Sequence, residues 1–153
     1  MRLLGWLAIS FMPAMVGIRF PAPEVYARLE KPPWAPPAWL FGPVWTVLYA
    51  VMGVAAWLVA HKTDARPRPA LVLWSAQLVL NATWTPIFFG LKAPGLALVN
   101  IVLLWLAIVA TVIAFLSKRT AAGMLLIPYL SWVTFAAALN FEIWRRNRGH
   151  ASR

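Results

Sequence analysis

The chain contains no cysteine, so it has neither a disulfide framework nor a thiolate metal site, and redox chemistry says nothing about its compartment. It is also short of charge: 12% of its 153 residues are Asp, Glu, Lys or Arg, and four of these are acidic. Soluble domains carry roughly 25% charged residues. So few charges cannot coat a globule of this size, which excludes an ordinary soluble enzyme or DNA-binding domain. What fills the chain instead is apolar surface. Hydrophobic residues make up 62%, the mean hydropathy is +0.73, and there are thirteen prolines and ten tryptophans.

A formal charge of +10 would in another context suggest nucleic acid. Here the cations fall in short clusters between apolar runs: Lys62, Arg66 and Arg68, then Lys118 and Arg119, then Arg145, Arg146 and Arg148. That is how membrane proteins anchor helix ends at lipid headgroups. No nucleic-acid partner is expected.

A bilayer core about 30 Å thick takes ~20 apolar residues to cross as a helix. Five runs qualify, at about residues 3–20, 44–60, 71–89, 96–116 and 121–144. The first is long for a signal peptide, its basic region is Arg2 alone, and Pro21 and Pro23 crowd the position where cleavage would fall. The expected fold is an all-α integral membrane protein, one five-helix transmembrane domain over residues 1–153. Its first loop, residues 21–43, holds seven prolines with Trp34, Trp39 and Phe41 between them. Such a segment reads as a stiff, non-helical loop and a lid over whatever lies beneath. Basic residues divide eight against six between the two sides, too evenly to fix orientation. The concentrated basic tail favours a cytoplasmic C-terminus.

An interfacial aromatic belt explains Trp6, Trp57, Trp74 and Trp144, which lie near span ends. It does not explain Trp105 and Trp132 near mid-membrane, nor Trp34 and Trp39 in the loop. Helical spacing places Gln77, Asn81, Trp84 and Phe88 on one face of the third span. It does the same for Tyr129, Trp132, Ala136 and Asn140 on the fifth, and for Trp45, Tyr49 and Gly53 on the second. Asn81, Asn100 and Asn140 lie in the membrane half nearest the loop. An amide in hydrocarbon must face a partner, a cavity or a ligand. Taken singly each amide reads as an interhelical hydrogen bond. Taken with the aromatics at the same depth, the set reads as a pocket for a flat, mostly apolar ligand, with Ala136 leaving room beside Trp132. Arg28 and Lys31, just before Trp34, are placed to meet carboxylates projecting from such a ligand, or lipid phosphates.

No catalytic or metal constellation is evident. His61 and His150 fall on opposite sides of the membrane, and Glu142 stands within helical reach of Arg145 and Arg146, as a structural ion pair would.

Four ordered blocks resemble the tryptophan-rich sensory protein family, also called the translocator protein or peripheral benzodiazepine receptor family. They are Trp34 to Pro37; Pro43 to Tyr49; Gln77 through Asn81 to Gly90; and Pro128 to Trp132 through Leu139-Asn140-Phe141 to Arg145. The resemblance covers essentially the whole chain. It implies a five-helix membrane protein, usually dimeric, that binds porphyrins such as protoporphyrin IX and, in animal members, cholesterol, with no separate cofactor. It places the family's pocket positions on Trp34, Trp45, Tyr49, Asn81, Trp132, Ala136, Leu139 and Asn140; Trp39 and Trp84 join them from the reading above. The family's cholesterol-recognition stretch expects a tyrosine where this chain has Phe141, which argues against a dedicated sterol site. A bacterial-type member in a cell-envelope membrane, with a tetrapyrrole ligand, is the reading that follows. A receptor leads, ahead of a transporter and of tryptophan-assisted, light-dependent porphyrin breakdown. A packed bundle without a ligand site is the plain alternative. Support for the dimer from the residues is confined to the small-residue pair Ala56 and Ala60.

Overall fold

Proline cannot supply the N–H that each interior position of an α-helix donates, so it sets where long helices break. The structure is a computed structural model that describes residues 2–20, 22–61 and 67–148. Pro21, Lys62, Arg66 and His150, named above as loop, flank or ligand candidates, lie outside the described residues. The first span is α1 (Leu3–Ser10) and α2 (Met12–Gly17), interrupted at Phe11 two residues before Pro13. After it comes α3 (Ala22–Arg28), bent by 54° from the α1–α2 direction. A single 3₁₀ turn (Ala38–Leu40) leads into α4 (Phe41–His61). The third span is α5 (Arg68–Thr85), continued from Pro86 to Gly90 as a π-helical turn. The fourth is α6 (Pro94–Lys118), and the fifth is α7 (Thr120–Leu125) with α8 (Ile127–Asn147), interrupted at Leu126 two residues before Pro128. Four of these segments are each long and apolar enough to cross a membrane, and α1–α2 with α3 counts as a fifth when the bent pair is taken as one span. The chain is a multi-pass helical membrane protein.

The loop corrects one expectation. Residues 22–28 are helical despite the prolines around them, because Pro23 stands in the first turn, where a missing N–H breaks no bond. Glu24 in that turn and Arg28 in the last also suit the helix dipole. From Leu29 to Pro37 the segment is non-helical, as its prolines require, and its last residues, Ala38 to Pro43, form the 3₁₀ turn and the start of α4.

Helix α4 packs against α1 and α7, and α6 against α5 and α8. Lipid is as apolar as the side chains facing it, so close approach of helices, more than apolar transfer, decides packing. Met52, Ala55, Ala56 and Val59 of α4 are fully enclosed, against Leu104, Ile108 and Phe115 of α6 and Trp74 of α5. Val47, Val79, Val99, Ile113 and other large apolar residues point outward. Two aromatic assignments change. Trp74 is 1% exposed and packs edge-on against Trp6, ring centroids 5.7 Å apart, so this pair holds α1 to α5 and is not an interfacial belt. Ala56 has no exposed surface, so its small side chain serves packing inside the chain and cannot form an interface with a second copy. Glu142 does pair with Arg145 (2.8 Å) and Arg146 (3.2 Å), as its spacing predicts.

The α1–α4 contact depends on Gly53. A Cβ there would lie 2.8 Å from Leu7 Cδ2 and 3.0 Å from Leu7 Cα, and backbone cannot swing aside. Gly53→Val is therefore expected to cost about 1–3 kcal/mol, read as a lower midpoint of thermal unfolding in detergent. Gly42→Ala, where nothing lies within 4 Å, serves as the control.

Candidate functional site

Between the main core and a second apolar cluster at the loop end (Tyr26, Phe88, Phe89, Leu139, Ile143) lies a cavity of about 720 Å³. Its walls come from every span. Pro13, Gly17 and Tyr26 close the side of the first span and α3, and Trp39 and Phe41 lie at the loop. Trp45 and Tyr49 project from α4, Asn81, Trp84 and Phe88 from the third span, Ile101 and Leu104 from α6, and Trp132, Ala136, Leu139 and Asn140 from α8. No charged side chain among the described residues lines it. The cavity is a neutral, aromatic space with a few polar edges, of the size that small-molecule sites occupy, about 300–1,000 Å³.

The aromatic walls brace one another. Trp45 stacks on Tyr49 at 5.4 Å and an interplanar angle of 29°, and Trp84 stacks on Phe88 at 4.8 Å and 25°. Phe41 meets Trp132 edge-on at 5.9 Å, which ties the start of α4 to α8 across the cavity roof. The π turn carries Phe88 and Phe89. Its wider winding, with Leu91 N–H donating to the Pro86 carbonyl at 2.9 Å, follows from the donor that Pro86 lacks.

Behind the rings the amides are paired. The Tyr49 hydroxyl donates to Asn81 Oδ1 (2.8 Å), Asn81 Nδ2 donates to the Tyr129 hydroxyl (2.7 Å), and that hydroxyl donates to Gln77 Oε1 (2.7 Å). This chain joins α4, α5 and α8 at one level. At the loop end Trp84 Nε1 donates to Asn140 Oδ1 (2.9 Å), and Asn140 Nδ2 to the Pro94 carbonyl (2.9 Å). Asn100 faces away from the cavity, bonded to Thr83 and to the Leu80 carbonyl. The single-residue reading of the three amides, an interhelical hydrogen bond each, therefore describes their contacts. Trp132 Nε1 is buried and has no hydrogen-bond partner, as is true of Trp6 Nε1 and Trp74 Nε1 away from the cavity. Trp105, also deep in the span, donates to Thr134 Oγ1 at 2.8 Å.

The loop is tied down from three directions. The Tyr26 hydroxyl donates to the Pro36 carbonyl (2.6 Å). Lys31 Nζ donates to the Tyr26 and Leu29 carbonyls at the end of α3 (2.8 and 3.0 Å) and lies over the Tyr26 ring. The side-chain amide of Asn147, in the last turn of α8, donates to the Glu30 carbonyl (2.9 Å) and accepts from the Glu30 N–H (3.2 Å).

Of the residues singled out from sequence, the structure brings Trp39, Trp45, Tyr49, Asn81, Trp84, Trp132, Ala136, Leu139 and Asn140 to this one cavity. Trp34 does not line it: its ring packs edge-on against Phe135 at 5.7 Å, and it is half exposed. Arg28 and Lys31 do not line it either. Lys31 is held by α3, and Arg28 borders a separate cleft of about 160 Å³. Sequence reasoning missed the wall given by Pro13, Gly17 and Tyr26. The signal was there, in a proline and a glutamate opening Ala22–Arg28 and an arginine closing it.

Fold and site together define a five-span helical membrane protein built around a neutral aromatic cavity. The chain matches the TspO/MBR family over residues 3–145 and belongs to it. It is 43% identical over 144 residues to the tryptophan-rich sensory protein of Cereibacter sphaeroides, covering 94% of this chain and 90% of that one. It is 46% identical over 148 residues to the tryptophan-rich protein TspO of Chlorobaculum tepidum (94% and 89%), and 40% identical over 152 residues to the translocator protein of Homo sapiens (95% and 90%).

The hydrogen-bonded chain through Asn81 is the load the bundle carries at this level. Asn81→Leu would leave the Tyr49 hydroxyl without its acceptor and Tyr129 without its donor, an expected loss of about 1–3 kcal/mol. Ser131→Ala removes an exposed bond to the carbonyl one turn back and should stay within about 0.5 kcal/mol. Paired thermal unfolding in one detergent checks the difference.

Proposed function

We propose that this protein is a receptor that binds a tetrapyrrole of the protoporphyrin IX type inside the helix bundle, beneath the first loop. The observation that carries the reading is the cavity: about 720 Å³, neutral, and lined by Trp45, Trp84 and Trp132. Flat conjugated rings gain from stacked and edge-on aromatic contact. Ala136, one helical turn from Trp132, keeps the slot beside the indole open. In this reading Trp39 contributes wall area and Trp34 braces the loop on Phe135. The expected ligand carboxylates belong outside the neutral walls, toward the loop end where Arg28 and Lys31 stand. Binding without chemistry is favoured over turnover because no carboxylate, imidazole or ammonium among the described residues reaches the cavity to move a proton. The homodimer and the bacterial cell-envelope membrane implied by the family resemblance are part of the same proposal.

Titration of the purified protein with protoporphyrin IX in the dark should quench tryptophan fluorescence saturably, and Ala136→Phe should abolish the quenching while helix content is unchanged. Trp132→Ala removes a wall ring and should weaken binding by about 0.5–1.5 kcal/mol, roughly two- to twelve-fold in Kd. Loss of pigment absorbance when the complex is illuminated would instead make the protein a catalyst of porphyrin breakdown, and no saturable quenching would leave a packed bundle.

The lid role of the loop has its own test. Asn147→Ala releases both bonds to Glu30 and should speed protoporphyrin dissociation severalfold in stopped flow, with association little changed. An off-rate equal to the parent's removes the lid from the proposal.

A further inference from the structure

The smaller cleft, about 160 Å³, is lined by Val25, Arg28, Leu29, Phe88, Lys92 and Pro94. Its chemistry is the opposite of the neutral cavity's. Val25, Arg28 and Leu29 are spaced 3 and 4 apart at the end of α3, which puts an arginine on the cleft-facing side of that helix. Lys92 comes from the turn between the π-helical segment and α6. Neither cation forms an ion pair with a carboxylate among the described residues.

Two further features make the cleft a receptor for negative charge. Lys92 has φ 52°, in the left-handed region that costs a side chain with a Cβ and is usually taken by glycine or asparagine. The turn closes with the Ala93 N–H donating to the Ile87 carbonyl at 3.2 Å, the position at which glycine normally ends a helix. A lysine kept in such a conformation is an outlier that asks for a use. Pro94 then opens a helix of 25 residues whose N-terminus has no side-chain cap and no acidic residue in its first turn, so its partial positive charge adds to that of the two cations.

We infer that this cleft binds the phosphate of an anionic phospholipid, with Arg28 and Lys92 as its charged contacts. The lipid, in preference to a free anion, follows from the surroundings. Leu91 and Leu96, on either side of Lys92 and Pro94, are 68% and 54% exposed, and the cleft wall itself carries Val25, Leu29 and Phe88. Apolar groups beside two unpaired cations suit a molecule with a charged head and hydrocarbon tails. A basic pocket between helices at the end of a span is how membrane proteins hold such heads. The buried Phe88 lines both this cleft and the large cavity, so it stands between the lipid head and the space proposed for the tetrapyrrole. The inference leaves the tetrapyrrole cavity as proposed but assigns Arg28 to the lipid phosphate in place of the ligand carboxylates.

Native mass spectrometry of the full chain in detergent, with phosphatidylglycerol or phosphatidylcholine added at equal concentration, tests it. The expected result is one retained phosphatidylglycerol per chain and little phosphatidylcholine. Arg28→Gln and Lys92→Asn should each lower the retained fraction roughly fivefold, the loss expected for one basic residue at an anionic surface. Asparagine tolerates the left-handed backbone, so Lys92→Asn removes charge without strain, and Lys92→Gly repeats the test by another route. Arg19→Gln, an exposed cation that borders neither space, should change nothing. Equal retention of phosphatidylcholine, or an equal loss in Arg19→Gln, would mean diffuse headgroup attraction and overturn the site. Displacement by millimolar inorganic phosphate would assign the cleft to a free anion, and one-for-one displacement by protoporphyrin IX but not by its dimethyl ester would assign it to ligand carboxylates. Either would overturn the lipid.

Discussion

Hydrocarbon offers no hydrogen bonds, so a polar group placed inside a membrane span is bound to find its partner within the protein. The Tyr49–Asn81–Tyr129–Gln77 chain is that constraint made structural. Each donor has one acceptor on another helix, and the geometry is met with α4, α5 and α8 at one mutual depth and rotation. Fixing rotation matters more than fixing distance. It decides that Trp45, Trp84 and Trp132 turn inward, and without it the same apolar helices could pack with those rings in lipid. The cavity walls are in this sense a consequence of the polar residues behind them.

Proline acts as the complementary device. The polar chain holds spans together, while Pro13, Pro86 and Pro128 divide them at chosen levels. The interruption in the first span precedes the turn of helix whose Pro13 and Gly17 face the cavity, and the π turn after Pro86 sets Phe88 and Phe89 against it. Straight helices with knobs-into-holes packing would fill this volume with side chains. Interrupted ones leave a space near the loop end while the opposite half stays densely packed around Met52, Ala55 and Val59.

Much of this was legible because the relevant signals are one-dimensional. Span number follows from runs of apolar residues, the Glu142 pairs follow from spacings of three and four, and the inward faces of α4, α5 and α8 follow from helical period. Seven residues singled out by that period (Trp45, Tyr49, Asn81, Trp84, Trp132, Ala136 and Asn140) converge on one cavity, joined by Trp39 of the loop and by Leu139, which the resemblance supplied. Depth without rotation misled. Trp74 sits near a span end, where belts form, but its face of α5 points at Trp6 and the core. Counting prolines misled as well, since Pro23 in a first turn does not oppose α3. The positions of Arg28 and Lys31 depended on that helix. Once it forms, Lys31 caps its C-terminal carbonyls and Arg28 borders the small cleft together with Lys92, sixty-four positions away, which no local pattern reveals.

The bonds between Asn147 and Glu30 join positions 117 residues apart in a chain of 153. On the ribosome the loop leaves the exit tunnel long before the last helix exists. Until α8 is made and inserted, Trp132, Ala136 and Asn140 are absent from one wall, and the loop has nothing to fasten to at that end. The four earlier spans can enter the membrane and pair with their neighbours in order of synthesis, since most of their contacts are local. The cavity cannot assemble that way: its last wall arrives with Trp132, Ala136 and Asn140 of α8, and the latch to Glu30 only with the final turn of that helix.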